Sequence, residues 1–289
     1  MFYNKEVLVT GGNGMIGREL VSLLLDRGAN VTVADISEKT NLEHVKYERV
    51  DLRYLSECNR ICENKDYIFN VVGIKGSPKM CAEQPADFMV PMLQFNTNMM
   101  DAAMKSGAKW YLYTSSVGVY QPAPVLKEDD VWKTFPSPND RFAGWAKRMG
   151  ELQAEAYAIQ NGNENISIVR PANVYGSYDN FDPNNAMVIP SLIRKAHENN
   201  TLEVWGDGSP IRDFNHAKDV ALGMLHVVEN KITEPINLGS GTGVSIREIA
   251  ETIASYFDKE IVWLTDKPTG DARRLFDMSR ANSNGFFPA

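Results

Sequence analysis

Cysteine, long apolar runs and positive charge are all scarce in this chain of 289 residues. The three cysteines, Cys58, Cys62 and Cys81, form an odd, sparse set. Such a set builds no disulfide framework, so a reducing compartment is expected. Cys58 and Cys62 stand four apart, on one face of an expected helix, but no nearby Cys or His pair completes a zinc site. No apolar run approaches the roughly 20 residues of a membrane span. The start, Met1-Phe2-Tyr3-Asn4-Lys5-Glu6, lacks the basic-then-apolar pattern of a signal peptide. A cytoplasmic protein without a membrane partner is the expectation. Thirty-seven acidic against 30 basic side chains leave a net charge of −7. A nucleic-acid partner is not expected, because its affinity would come from clustered Lys and Arg.

What is present is enough apolar material, 43% of the residues, to bury a sizeable core. Glu6-Val7-Leu8-Val9-Thr10 reads as a short apolar strand ending at glycines. Met15 to Arg27 then carries Ile16, Leu20, Leu23 and Leu24 at helical spacing, and Gly28 ends it. Further strands are expected at Val31–Asp35, Tyr67–Val72, Trp110–Thr114 and Ile166–Arg170. Strands alternating with helices predict an α/β fold with a doubly wound parallel sheet. After residue 175 the pattern loosens into helical stretches near 187–199, 216–230 and 245–257, with short strands at 203–205 and 261–264. The expected division is a Rossmann domain over 1–175 and a smaller lobe mainly over 176–289, with the two interleaved. The final Gly285-Phe286-Phe287-Pro288-Ala289 reads like the approach to another helix.

The segment Thr10-Gly11-Gly12-Asn13-Gly14-Met15-Ile16-Gly17 follows the first strand and opens the first helix. Gly11 permits a tight turn, Gly14 lets a pyrophosphate approach the backbone, and Gly17 lets helix and strand pack closely. Asn13, Met15 and Ile16 complete the loop, and free amides at the helix start would hold the anion. Asp35, at the end of the second strand, is placed to accept from ribose hydroxyls and to repel a 2′-phosphate, which predicts NAD rather than NADP. Asp51 and Leu52 fit an adenine-edge contact, and Val71-Val72-Gly73 fits a passage beside the cofactor.

With that loop, Tyr113-Thr114-Ser115-Ser116-Val117-Gly118-Val119-Tyr120 and Lys147 in view, the chain resembles extended short-chain dehydrogenases of the epimerase/dehydratase type. Asn173–Phe181, Val188–Lys195 and Val204–Phe214 are most similar to GDP-fucose synthases, and Gly270–Asp277 to a late motif of the wider family. The resemblance implies that Ser116 holds the reacting sugar oxygen and that Lys147 holds the nicotinamide ribose. It implies a substrate side made of Ser116, Val117, Gly118, Asn173, Val188, Lys195, Trp205, Arg212 and Arg274, with Lys195 and Arg212 near a diphosphate. It also implies a homodimer through helices near 83–107 and 140–160. Phe88, Met92, Phe95, Met99 and Met100 of the first fit either that interface or the chain's own core.

Three positions depart from the fucose synthase pattern. Ala143 stands four residues before Lys147, where the family has a proton-transferring tyrosine. Gly118 stands in place of an acid/base cysteine, and Met187 in place of a histidine. Neither glycine nor methionine exchanges a proton near neutral pH. Cys81 and His197 match neither position, and Tyr120 and Tyr175 do not match the lost tyrosine. The expected function is an NAD-dependent oxidoreductase working at C4 of a GDP-linked hexose or heptose, without C3/C5 epimerisation. The alternatives are a tyrosine-to-alanine knockout of an epimerase/reductase and a non-catalytic NAD-binding protein.

Overall fold

The computed structural model describes residues 1–74, 83–162, 165–267 and 269–288, so Cys81 lies outside the described residues. The central sheet has seven strands: β1 (Glu6–Thr10), β2 (Asn30–Asp35), β3 (Lys46–Arg49), β4 (Tyr67–Asn70), β5 (Trp110–Thr114), β6 (Ile166–Pro171) and β10 (Ile236–Leu238). All pairings within it are parallel, in the order β10-β6-β5-β4-β1-β2-β3. The order reverses beside β1, which pairs with both β2 and β4. That reversal opens a crevice at the carboxyl ends of the strands, where ligands of such sheets bind. The doubly wound sheet expected from the alternating pattern is therefore present.

Pleating sends neighbouring side chains to opposite faces, and two apolar cores result. Val7, Val9, Phe69 and Leu112 join one core with Leu20, Val21 and Leu24 of α1 (Met15–Asp26) and with Val220, Met224 and Val227 of α6 (Ala217–Glu229). Leu8, Ile68, Tyr111 and Tyr113 join the other. There they meet α2 (Leu55–Cys62), α3 (Pro85–Ser106) and α4 (Arg141–Asn161). Cys58 and Cys62 lie inside this second core, and burial pushes both thiols up to about 12. Among the described residues no group of His, Cys, Asp or Glu is placed to hold a metal ion. Phe88, Met92, Phe95, Met99 and Met100 are all buried in the same core, so their apolar surface serves this chain itself.

The later half builds two smaller patches. α5 (Val188–Glu198) and α7 (Ile246–Phe257) share a third core with β8 (Thr201–Trp205) and β12 (Glu260–Leu264). β7 (Asn173–Tyr175), β9 (Ile211–His216), β11 (Gly243–Ser245) and β13 (Arg273–Arg274) form a separate sheet, and α8 (Ser279–Ser283) follows. Two details differ from the expected layout. β7 leaves the central sheet and pairs with β9, while β10 returns to it beside β6, so the chain after 175 contributes to both layers. β4 ends at Asn70, short of the expected Val72, and Val71 and Val72 pass close beside Gly11. Among the described residues no helix is long and apolar enough to cross a membrane.

Candidate active site

The glycine loop has little room for side chains. Gly11 has φ +70°, and a β carbon there would lie 2.9 Å from Val72 Cα. A β carbon on Gly17 would lie 2.7 Å from Gly12 Cα and collide with Gly11 O. Gly14 caps α1 without any side-chain bond to the helix start, which leaves first-turn amides open to an anion. The side chains of Met15 and Ile16 pack toward the core, so only their backbone faces the loop's task. Asp35 sits beside this loop and accepts from Asn13 N at 3.2 Å and Ser37 Oγ at 2.8 Å. Asn13 is anchored in turn by Thr40 Oγ1 at 2.6 Å. Asp51 is clasped by Arg53 at 2.5 Å, a hydrogen bond that holds its carboxyl below the usual range. Leu52 is buried against the second core, and Val71 and Val72 pack on opposite cores. A glycine cradle, an uncapped helix start and an acidic strand end together fit a dinucleotide.

Ser116 follows the end of β5, and Lys147 is anchored to the same strand end. Ser116 Oγ accepts from Gly118 N at 3.1 Å, which leaves its own proton for a ligand. Lys147 Nζ donates to Thr114 O at 2.8 Å. Burial pushes this ammonium down to about 8, with Glu151 opposing the shift. Thr114 Oγ1, at the same strand end, is buried and among the described residues has no hydrogen-bond partner. Ala143 lies one turn before Lys147 and lines a cavity of about 10 Å³ with Pro85, Phe88, Asn139, Asp140, Arg141 and Phe142. That space suits a single water.

Two glycines bring α4 close enough to place Lys147. A β carbon on Gly144 would strike Gly118 O, and one on Gly150 would strike the Tyr113 ring. Tyr113 instead donates its hydroxyl to Lys147 O at 3.1 Å. Beneath them Glu151 accepts Ser115 Oγ at 2.5 Å and pairs with Arg170 at 2.7 Å, both charged side chains being almost fully buried. Arg170 also donates to Tyr120 at 3.1 Å, and Tyr120 donates to Asn237 at 2.5 Å. Tyr120 is thus locked into the support of the site. Tyr175 packs against Phe214 and His216.

The expected substrate residues fall into two groups. Arg212 and Arg274 lie together on neighbouring strands β9 and β13. Burial, and secondarily the charge of Arg274, pushes Arg212 down to about 10, so it remains a cation at neutral pH. Its NH1 donates only to Ile211 O, and among the described residues it has no carboxylate partner. Asn173 lies beside them and donates to Asp213 O at 3.0 Å. Lys195 and Trp205 form the second group, with the ammonium 5.9 Å from the ring centroid. Trp205 is 54% exposed, whereas Val188 packs into the third core and Val117 onto the first. Met187 caps α5 and is exposed, and His197 meets Phe257 edge-on.

Sequence reasoning missed Asp140, Asn139 and Asp271. Arg274 pairs with both Asp140 and Asp271, and Asp271 also accepts from Asn139 Nδ2 at 2.7 Å and Ser137 Oγ at 3.0 Å. Burial works against the Asp271 carboxylate, but Arg274 prevails and keeps its pKa below the usual value. The family profile described as NAD dependent epimerase/dehydratase matches residues 7–239. The chain is 33% identical to a probable GDP-L-fucose synthase of Oryza sativa subsp. japonica, across 98% of this chain and 87% of that one. It is 30% identical to the GDP-L-fucose synthase of Escherichia coli (strain K12), across 98% and 91%. The structure superposes with a TM-score of 0.88 on a UDP-N-acetylglucosamine 4-epimerase from Methanobrevibacter ruminantium M1, at 25% identity and 99% and 94% coverage. This chain belongs to the NAD dependent epimerase/dehydratase family.

Proposed function

We propose that the protein is an NAD-dependent oxidoreductase acting at C4 of a GDP-linked hexose or heptose, without epimerisation at C3 or C5. The observation that carries this reading is the uneven survival of the site. Ser116 and Lys147 stand ready at the end of β5, while Gly118 and Met187 offer no proton-exchanging group. Bound NAD would supply the hydride acceptor or donor. The chain's residues position and handle protons. Arg212 and Arg274 hold the substrate diphosphate by charge-assisted bonds, Lys147 holds the ribose, and Ser116 donates to the sugar oxygen. A water-sized cavity lined by Ala143 and Asp140 leaves room for a water beside the position where the family has its tyrosine. Residues 176–289 supply most of the substrate lobe in this reading, and two copies of the chain form the working unit.

A single-turnover assay with NAD and GDP-mannose-type sugars should show reduced nicotinamide and a 4-keto product. Absence of any ketone, with cofactor bound, sinks the reading. Ala143→Tyr separates it from a simple knockout. A native site without tyrosine keeps or loses rate on this change, whereas a knockout gains about 10²-fold or more from the restored acid/base group.

A further inference from the structure

Gly118 lets the Asp140 side chain pack close beside Ser116 at the end of β5. The point where a β carbon on Gly118 would sit is 3.6 Å from Ser116 Oγ and 3.5 Å from Asp140 Cγ. Asp140 Cβ is closer still, at 3.3 Å, so the hydroxyl and the Asp140 side chain are near neighbours across Gly118. Arg274 holds Asp140 Oδ2, and Asp271 holds Arg274 at 2.5 Å. Oδ1 of Asp140 takes no hydrogen bond among the described residues. Its side chain is 28% exposed, open to a ligand yet fixed in direction by the arginine. The small cavity beside Ala143 adjoins the same carboxylate.

We propose that Asp140 reads the sugar: its free oxygen accepts a hydrogen bond from a hydroxyl on a carbon next to the one whose oxygen Ser116 holds. An ionised carboxylate only accepts, so one oxygen serves for orientation and the other for recognition. The bond is charge-assisted and stronger than a neutral one. The substrate class that follows is a neutral sugar with a hydroxyl at that neighbouring position. A deoxy carbon there leaves a desolvated carboxylate without its partner. A carboxylated sugar brings two like charges together, which rejects it. This inference rests on the nucleotide-sugar reading above and deepens it.

The test is calorimetric titration of GDP against GDP-mannose, UDP against UDP-glucose and dTDP against dTDP-glucose. Wild type and Asp140→Ala are compared, after thermal unfolding shows the variant folded. Asp140→Asn, which keeps the shape and an acceptor oxygen, replaces it if it is not. Wild type is expected to hold at least one sugar ester more tightly than the matching nucleoside diphosphate. The variant should weaken that ester, by about 10- to 100-fold for alanine and by less for asparagine. It should bind the bare nucleoside diphosphate as well or better, because one negative charge beside Arg274 is removed while Asp271 still holds that side chain in place. Equal losses for both ligands, or an unchanged preference for the ester, overturn the role of Asp140 alone. A wild type that binds no nucleotide and no ester overturns the nucleotide-sugar reading, and this inference with it.

Discussion

The proposed cofactor end and the proposed sugar end of this site are built under opposite constraints. At the cofactor end, a β carbon on Gly11, Gly12 or Gly17 would meet backbone or the Val33 side chain at 2.9 Å or less. At the sugar end, a β carbon on Gly118 would meet only the Asp140 side chain and the Ser116 hydroxyl, at 3.3 to 3.6 Å. One end has glycines because nothing else fits. The other has a glycine where a side chain would fit with small adjustment. The difference teaches that one end is fixed by backbone close approach, whereas the other is bounded by a hydroxyl and by charges fixed by one another.

The largest expected effect lies beneath both ends. Glu151→Ala leaves Arg170 buried without its partner, and urea unfolding should show a loss of about 3–5 kcal/mol. A loss below about 1 kcal/mol would mean that the pair does not brace α4 against β5 and β6. Next comes the direct contrast between glycines. Gly17→Ala should cost about 1–3 kcal/mol by overpacking and abolish measurable NAD binding. Gly118→Ala should leave both nearly unchanged. Equal effects at the two positions would erase the distinction.

The smallest effect is a pH dependence at Lys147. Its ammonium, held down to about 8 from an ordinary 10.5, is charged at neutral pH and discharges as pH rises through 8. Affinity for NAD should therefore fall between pH 7 and 9, and the Lys147→Met variant should show no such step. Stability moves the other way. Between about 8 and 10.5 the unfolded chain binds more protons than the folded one, so unfolding free energy gained from relief of the buried charge rises with pH. An affinity that rises with pH would contradict the assignment of Lys147 as a charged anchor.

The same contrast explains what was legible in the sequence. The cofactor loop could be read because its spacing encodes backbone geometry: Gly11, Gly14 and Gly17 each answer to a local close approach. Asp35 could be read because it ends a strand whose neighbours are apolar. The helices after residue 187 could be read because their apolar faces repeat over three turns. β10 could not, because Ile236-Asn237-Leu238 is too short to show a period, and its membership of the central sheet is fixed by pairing with β6. Asp140 was invisible for a different reason. Its partner Arg274 lies 134 positions away, and no local pattern marks either the pair or the closeness of Asp140 to Ser116. Sequence also left open whether Met92, Met99 and their neighbours belong to a dimer face or to the core, a question of which helix packs where.

Redox chemistry at C4 without epimerisation is tested most directly by solvent exchange. The protein, NAD and a GDP-hexose are incubated in deuterated water through a single turnover, and the recovered sugar is analysed position by position. The account predicts oxidation at C4, seen as reduced nicotinamide, with no deuterium gained at C3 or C5 beyond that of the free ketone. Enzyme-dependent deuterium at either carbon would show a proton-exchanging group that Gly118 and Met187 do not provide, and would contradict it.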